Sequence, residues 1–377
     1  MHEGGVPDPE LTEQLRVAVI GYGLAGSVFH APLVSATPGM EVSAIVTSNP
    51  ERQARARRDV PLAVVLESAD EVWRTADLFD LVVVATPNRY HAPLARAAME
   101  AGVPVVIDKP MATSVQEARD LMATSRETGV PLTCFQNRRW DGDFLTVRRL
   151  MEGDLLGAII RFESRFERYR PEARAAWREQ TSFELGGGLL WDLGCHLIDQ
   201  ALVLFGRPNR VYAEMACRRP GSGADDDTFV ALAFPGGVVA HLWMSVLARS
   251  AGPRFRVYGL RGTYEKHGVD PQESAMRGGA IPGGAGWGAE PETAWGRMVS
   301  DIGGMTVNGV VETVPGAYPA FYLAVRDALL HDRPLPVDPQ GVTDVLRIIE
   351  AAHQSARGGQ TLEIGPDTEE STAQPRG

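Results

Sequence analysis

Residues 16–26, RVAVIGYGLAG, run an apolar, β-branched strand straight into three glycines. A strand that turns within two residues and then opens a helix needs glycine at the turn, because only glycine takes a positive φ without a steric penalty. The spacing of Gly21, Gly23 and Gly26 fits that unit. Gly21 permits the tight turn, Gly23 lets a ligand's phosphates approach the backbone, and Gly26 lets helix and strand pack closely. The pattern then repeats. Strands are predicted at 16–20, 41–46, 62–66, 81–85, 103–107 and 132–135, with helical stretches at 25–35, 50–58, 92–101 and 115–128 between them. Asn49 before Pro50 is an N-cap signal, and Gly102 and Gly129 stand just past helix ends. Six strands with intervening helices predict an α/β fold, a doubly wound parallel Rossmann sheet over residues 14–136.

From Asn137 the texture changes. Longer, alternating strands are predicted at 158–168, 211–218, 228–234, 238–247 and 254–258, with Pro235-Gly236-Gly237 as a hairpin turn. Sequential strands without intervening helices predict an open, mostly antiparallel sheet in an α+β domain over 137–364. Residues 277–288 read as a glycine-rich loop, 318–331 and 342–357 as helices, and the polar tail 365–377 as disordered.

A chain of 377 residues is too long for most single cores, which agrees with two domains. Its net charge of -11 argues against a nucleic-acid or anionic-membrane partner, since both need a basic face. The N-terminus has no signal-peptide pattern, and no segment approaches the roughly 18 apolar residues of a membrane span. Cys134, Cys195 and Cys217, odd in number and scattered, fit reduced thiols in the cytosol. The expectation is a cytoplasmic protein.

The glycine turn predicts a dinucleotide with its pyrophosphate on the helix N-terminus. NAD sites usually carry an acid about twenty residues further on, at the tip of the second strand. Here that tip reads Thr47-Ser48-Asn49, followed by Arg52 in an arginine-rich run. Hydroxyls and a cation accept a 2′-phosphate, so NADP(H) is expected ahead of NAD(H). A solvated helix face is the plainer reading of the arginines, and Arg52 stands nearest.

Two further elements bear on chemistry. Lys109 follows the apolar run of VPVVIDKPM, at the carboxyl end of a parallel strand, where open α/β sheets bind ligands. Pro110 holds it away from helical geometry. The stretch 186–206, GGGLLWDLGCHLIDQALVLFG, places Asp192, His196 and Asp199 at i, i+4 and i+7, on one face of a helix. Two carboxylates beside an imidazole can fix its tautomer and raise its basicity, as proton transfer requires. Zinc is the rival for that spacing, but no further ligand cluster supports it, so no metal is expected. Asn137, Arg138, Trp140, Asp141, Tyr169, Arg170, Trp177 and Arg178 combine aromatic faces with planar donors, a lining suited to a hydroxylated ring. Cationic surface and core packing are the plainer readings of its arginines and tryptophans. His241 and His267 have no supporting pattern and read as structural.

These segments together resemble the Gfo/Idh/MocA oxidoreductases from about residue 16 to residue 362. The resemblance is carried by VIGYGLAGSVFHAP, VVVATPNRYHAPLARAAMEAG, VVIDKPMA and GGGLLWDLGCHLIDQ. NRRWDGDFLTVRRL and YRPEARAAWRE narrow it to the branch that contains NADP-dependent scyllo-inositol dehydrogenases. The resemblance implies a polyol or sugar substrate and catalysis by Lys109, Asp192 and His196. Lys109 would sit beside the nicotinamide, and Asp192 and His196 would handle the substrate hydroxyl and proton. Tyr22, Leu24 and Ala25 would join the glycines in the cofactor loop. Thr86, Pro87, Asn88, His91 and Asp108 would belong to the nicotinamide end. Asp108 stands where the family more often has Glu, which keeps the charge. The open sheet would build a homodimer or homotetramer. A reductase of another sugar or carbonyl compound is the alternative, and a non-catalytic NADP(H)-binding regulator the rival from another class.

Overall fold

A computed structural model describes residues 14–173 and 177–365, with every side chain among them except those of residues 177 and 178. The polar tail from residue 366 lies outside the described residues. Two compact units form. The first takes in the chain up to Thr146 with Val269–Glu292 and Thr313–Thr343; the second takes in Val147–Gly268, Thr293–Glu312 and the chain from Asp344.

In the first unit, β1 (Leu15–Ile20), β2 (Met40–Val46), β3 (Val64–Leu66), β4 (Leu81–Val84), β5 (Val105–Asp108) and β6 (Leu132–Phe135) form a parallel sheet. Their order is β3-β2-β1-β4-β5-β6. β4, β5 and the edge strand β6 are buried throughout, which is why they read as nearly unbroken apolar runs. β3 is shorter than predicted, because Leu62 is 93% exposed and contributes nothing to the sheet. The strand order reverses between β1 and β4, the switch point at which open α/β sheets take their ligands. Register aligns the carboxyl ends there: Ile20 lies beside Val46 and Val84, and Val84 beside Ile107. The residues that follow these strands, Gly21, Thr47, Ala85-Thr86 and Asp108-Lys109, therefore emerge along one edge.

Local chemistry sets the helix ends. Asn49 accepts from the Arg52 backbone N–H at 3.0 Å and caps Pro50–Asp59. Gly129 ends Val115–Thr128 in the left-handed region at φ 72°. The helix after the glycine turn differs from the uniform α-helix predicted: Ala25–His30 is π-wound, and α geometry begins only at Ala31. Helix Gln272–Arg277, just before the glycine-rich loop, was not predicted.

In the second unit, β7 (Ile159–Glu167), β8 (Arg210–Ala216), β9 (Asp227–Ala233), β10 (Val239–Ser245), β11 (Phe255–Gly259), β12 (Gly262–Lys266), β13 (Gly296–Ile302), β14 (Met305–Val311) and β15 (Leu362–Glu363) form a sheet ordered β14-β13-β12-β11-β7-β10-β9-β8-β15. It is antiparallel except where β7 runs parallel to β10. The Pro235-Gly236-Gly237 turn joins β9 to β10 as predicted, with Gly237 N–H bonded to the Phe234 carbonyl. Burial alternates along β9, which buries Thr228, Val230 and Leu232 while Phe229 is half-buried on the opposite face. On the other face, Phe229, His241 and Trp243 form an aromatic row, with the Arg165 guanidinium 3.9 Å over Trp243.

Candidate functional site

The glycine turn sits where β1 leaves the sheet. Gly21 has φ 99°, and a Cβ there would lie 2.5 Å from the Ala85 carbonyl oxygen. A Cβ at Gly26 would lie 2.0 Å from the Gly21 carbonyl oxygen. The protein's own packing thus accounts for both glycines. Gly23 differs: a Cβ there would meet only an Arg52 guanidinium nitrogen, at 3.9 Å. Its backbone faces open space with a cation beside it, and a pyrophosphate fits that cradle. Leu24 is 44% exposed at the head of the helix. Tyr22 turns away from the cradle; it is buried, and its hydroxyl donates to Asp59 at 3.1 Å. Burial, together with Asp59, raises that phenol well above its ordinary range.

At the tip of β2, Thr47 is buried, and its hydroxyl accepts from the Asn49 N–H at 3.4 Å, while Ser48 and Arg52 are exposed. At the tip of β4, the Thr86 Oγ1 is buried and has no hydrogen-bond partner among the described residues, while Asn88, two residues on, is buried. That orphaned hydroxyl at a ligand-binding edge suits a nicotinamide's amide or ribose. His91 is buried between two carbonyls, those of Thr86 at 2.8 Å and Pro110 at 2.7 Å.

Lys109 leaves β5 half-buried, joined to Pro110 by a cis peptide bond. Behind it, Asp108 is buried with its Oδ1 3.4 Å from His30 Nε2. Burial pushes the Asp108 carboxyl up, yet His30, His91 and Lys109 outweigh it and hold the group below the usual carboxylate range. Glu273 behaves alike. Burial raises it, but Arg138, Arg277 and Lys109 bring it below its usual range. Lys109 therefore stands in the field of two carboxylates, one of which sequence reading missed. Glu273 lies on the short helix that no apolar period announced.

Beyond β6, Asn137 is buried and Trp140 packs edge-on against Phe321. Asp141 is fully buried. It pairs with Arg138 at 3.1 Å and accepts from the Tyr318 hydroxyl at 2.7 Å, so its carboxylate braces Arg138.

The helix with Asp192, His196 and Asp199 belongs to the second unit. It is not one uniform α-helix. Leu190–Gly194 is a π turn, and α geometry runs over Cys195–Phe205. Asp192 is half-buried in the π turn, while His196 and Asp199 are 4% and 2% exposed on the α segment. Single π turns often mark functional positions. Leu193 and Leu197 are buried, as the apolar face predicts. Tyr169 is 41% exposed, with the Arg249 guanidinium 4.1 Å over its ring and bonded to its hydroxyl. Arg170 donates its N–H to the Val246 carbonyl. The Trp177 side chain lies outside the described residues.

Asp225, also missed, braces the start of this helix. It accepts from the Leu190 N–H at 2.9 Å and the Thr228 hydroxyl at 2.6 Å, and a Cβ at Gly188 would collide with it. Burial outweighs these bonds and pushes the carboxyl from 3.8 up to about 6. A raised acid favours the fold when protonated. Its stabilising share is whole below about pH 4 and is lost as pH rises through about 6, a change of about 3 kcal/mol. Asp225→Asn removes that titration. The unfolding free energy of the natural protein relative to the variant should therefore fall between about pH 4 and 7, and a pH-independent difference would refute it.

Residues 15–136 match the family model described as the oxidoreductase family's NAD-binding Rossmann fold, and residues 148–364 match that of its C-terminal alpha/beta domain. The chain is 40% identical to the uncharacterized oxidoreductase YdgJ of Escherichia coli K12, covering 93% of this chain and 99% of the relative. It is 34% identical to scyllo-inositol 2-dehydrogenase (NADP(+)) IolW of Bacillus subtilis, covering 93% and 96%. The structure of YPO2259 from Yersinia pestis superposes with a TM-score of 0.89 at 36% identity, covering 96% of this chain and all of that one.

Proposed function

The chain belongs to the Gfo/Idh/MocA oxidoreductase family, and from that premise we propose that it interconverts a secondary alcohol and a ketone on an inositol ring with NADP(H). Residues 14–136 bind the cofactor, and residues 137–364 bind substrate and build the oligomer. The observation that carries the reading is the alignment of the open Gly23 cradle, the orphaned Thr86 hydroxyl and Lys109 along one sheet edge. When bound, the nicotinamide supplies hydride exchange at its C4. The protein's share is to bind, orient and move a proton. Gly21–Gly26 hold the pyrophosphate, with Arg52 beside it. Thr86, Pro87 and Asn88 orient the nicotinamide end. Lys109 stabilises charge developing on the substrate oxygen. His196 takes the hydroxyl proton, with Asp192 and Asp199 orienting its ring or binding neighbouring hydroxyls. Asn137, Trp140, Tyr169 and Arg170 line the ring, and Asp141 serves them through Arg138.

The relative named as an NADP(+)-dependent scyllo-inositol 2-dehydrogenase supports the substrate class. A panel of inositols and sugars with NADP+ and NAD+ tests it. scyllo-Inositol with NADP+ should give the highest kcat/KM, and a sugar turned over better would move the reading to the sugar reductases.

Cofactor choice rests on the exposed tip Ser48 with Arg52. Ser48→Asp places a carboxylate where a 2′-phosphate would bind, so kcat/KM for NADP+ relative to NAD+ should fall by roughly tenfold. A natural enzyme that already prefers NAD+ would sink this assignment.

The oligomer is assigned to the open face of the second unit's sheet, the face of the aromatic row, on which Val299 and Val310 are exposed. Its occupant is a second copy of this chain. None of the described helices is long and apolar enough to cross a membrane.

A further inference from the structure

His91 opens helix His91–Glu100 and is wholly buried. Its Nδ1 lies 2.7 Å from the Pro110 carbonyl oxygen and its Nε2 lies 2.8 Å from that of Thr86. Both partners only accept. Each contact is a hydrogen bond only while the facing nitrogen carries a proton, and a neutral imidazole has one N–H where an imidazolium has two. Pro110 directly follows Lys109, and Thr86 precedes the nicotinamide-facing Pro87 and Asn88. One ring therefore spans the two loops on which the proposed chemistry depends.

Two charged or titratable groups bear directly on that ring, and two more act through them. Asp108 favours the imidazolium, while His30, on the far side of the same carboxylate, opposes a second positive charge. Lys109 shares Asp108 with both rings. Tyr322 bonds His30 Nδ1 at 2.6 Å, and burial keeps its phenol protonated. Burial pushes the His91 imidazole below its ordinary range, against Asp108 and the two carbonyls. Loss of its second proton is thus shifted toward acid.

We infer that His91 is a positioning residue that ties the Thr86 loop to the Lys109 loop by two bonds when protonated and by one when neutral. Acid then tightens the placement of Lys109, and the phosphate cradle at Gly23 is untouched. The inference rests on Lys109 serving the nicotinamide. Its consequence is kinetic, because a displacement of about 1 Å in a reacting group can cost up to about 10²-fold in rate.

The test has two arms. In full-length protein with ¹⁵N-labelled histidine, His91 resonances are assigned by their loss in His91→Asn and followed from about pH 5 to 8. Both nitrogens should be protonated in acid, and one should lose its proton below the ordinary imidazole range; resonances that never move overturn the tie. In the second arm, kcat is compared with His91→Asn, whose amide replaces the bond to Pro110, and with His91→Gln, whose amide replaces the bond to Thr86. The natural enzyme should exceed both by about tenfold where the spectra show both nitrogens protonated, and should converge on the variant that matches its neutral tautomer once one proton is lost. NADPH dissociation constants should stay within about threefold, since the phosphates are held elsewhere. Rate ratios that stay flat with pH beside a titrating ring are what mere destabilisation gives, and they overturn the link to Lys109. The spectroscopic arm needs no turnover. A protein inactive on every polyol would overturn the proposed function, while the titration still decides the tie.

Discussion

Lys109→Ala is expected to lower kcat by about 10²–10³-fold while NADPH still binds, the usual cost of removing one aligned electrostatic group from a reacting oxygen. The expectation rests on position. Val84 and Ile107 are register partners, so the loop that holds Thr86 and the loop that holds Lys109 leave the sheet side by side. The amine bears on Asp108 and Glu273, whose carboxyls it helps to hold below the usual range. A cationic amine steadies an oxygen as it gains charge. The two carboxyls set the variant's side effect, since without the amine each becomes somewhat easier to protonate. Lys109→Arg keeps the charge but moves it outward on a planar head, so it should recover only part of the rate. Fluorescence titration of NADPH beside turnover separates the effects. A loss confined to KM would make Lys109 a binding group, and near-normal turnover would remove it from the chemistry.

What the sequence disclosed follows from where the determinants lie. β6 and the helix Val115–Thr128 were legible to the residue, because an unbroken apolar run and a left-handed Gly129 are local signals. The glycine turn was legible because strand, glycines and helix follow one another within one short segment, although the Ala85 carbonyl that closes on Gly21 comes from another strand's end. β12, β13 and β14 were not. β14 is exposed along most of its length, so no apolar alternation marks it. The parallel pairing of β7 with β10 could not be read either, because adjacent apolar strands carry no record of which distant strand enters between them. The two π turns share their composition with an α-helix and differ only in winding. At the site, the sequence pointed to Lys109, Asp192 and His196 by residue type and spacing. Glu273, which feels Lys109, Asp225, which bonds the start of the His196 helix, and Tyr318 and Tyr322, which bond Asp141 and His30, act from distant segments, where nothing nearby singles them out.

His196→Asn should cost about 10²–10⁴-fold in alcohol oxidation, the usual range for a lost general base. The ring sits at the start of the α segment and is nearly buried, with Asp192 in the π turn before it and Asp199 one turn beyond. A base must be neutral to accept the hydroxyl proton, so oxidation should rise with pH as the ring loses its proton. Reduction needs the same ring protonated and should fall over the same pH interval. Asparagine can still hydrogen-bond a hydroxyl but cannot take its proton, so the variant should lose the rising limb as well as the rate. Asp192→Asn should lower activity with the limb kept, because it removes an orienting charge and leaves the base in place. A metal would act differently, by lowering the ionisation of a bound hydroxyl and making turnover sensitive to chelation. Among the described residues no three His, Cys, Asp or Glu side chains gather to hold such an ion, so EDTA should leave the natural enzyme unchanged. The decisive measurement is the pH–rate profile of the natural enzyme and His196→Asn, each with and without EDTA. A limb that survives in His196→Asn would remove this imidazole as the base, and activity lost to EDTA would replace proton transfer by a side chain with metal-assisted chemistry.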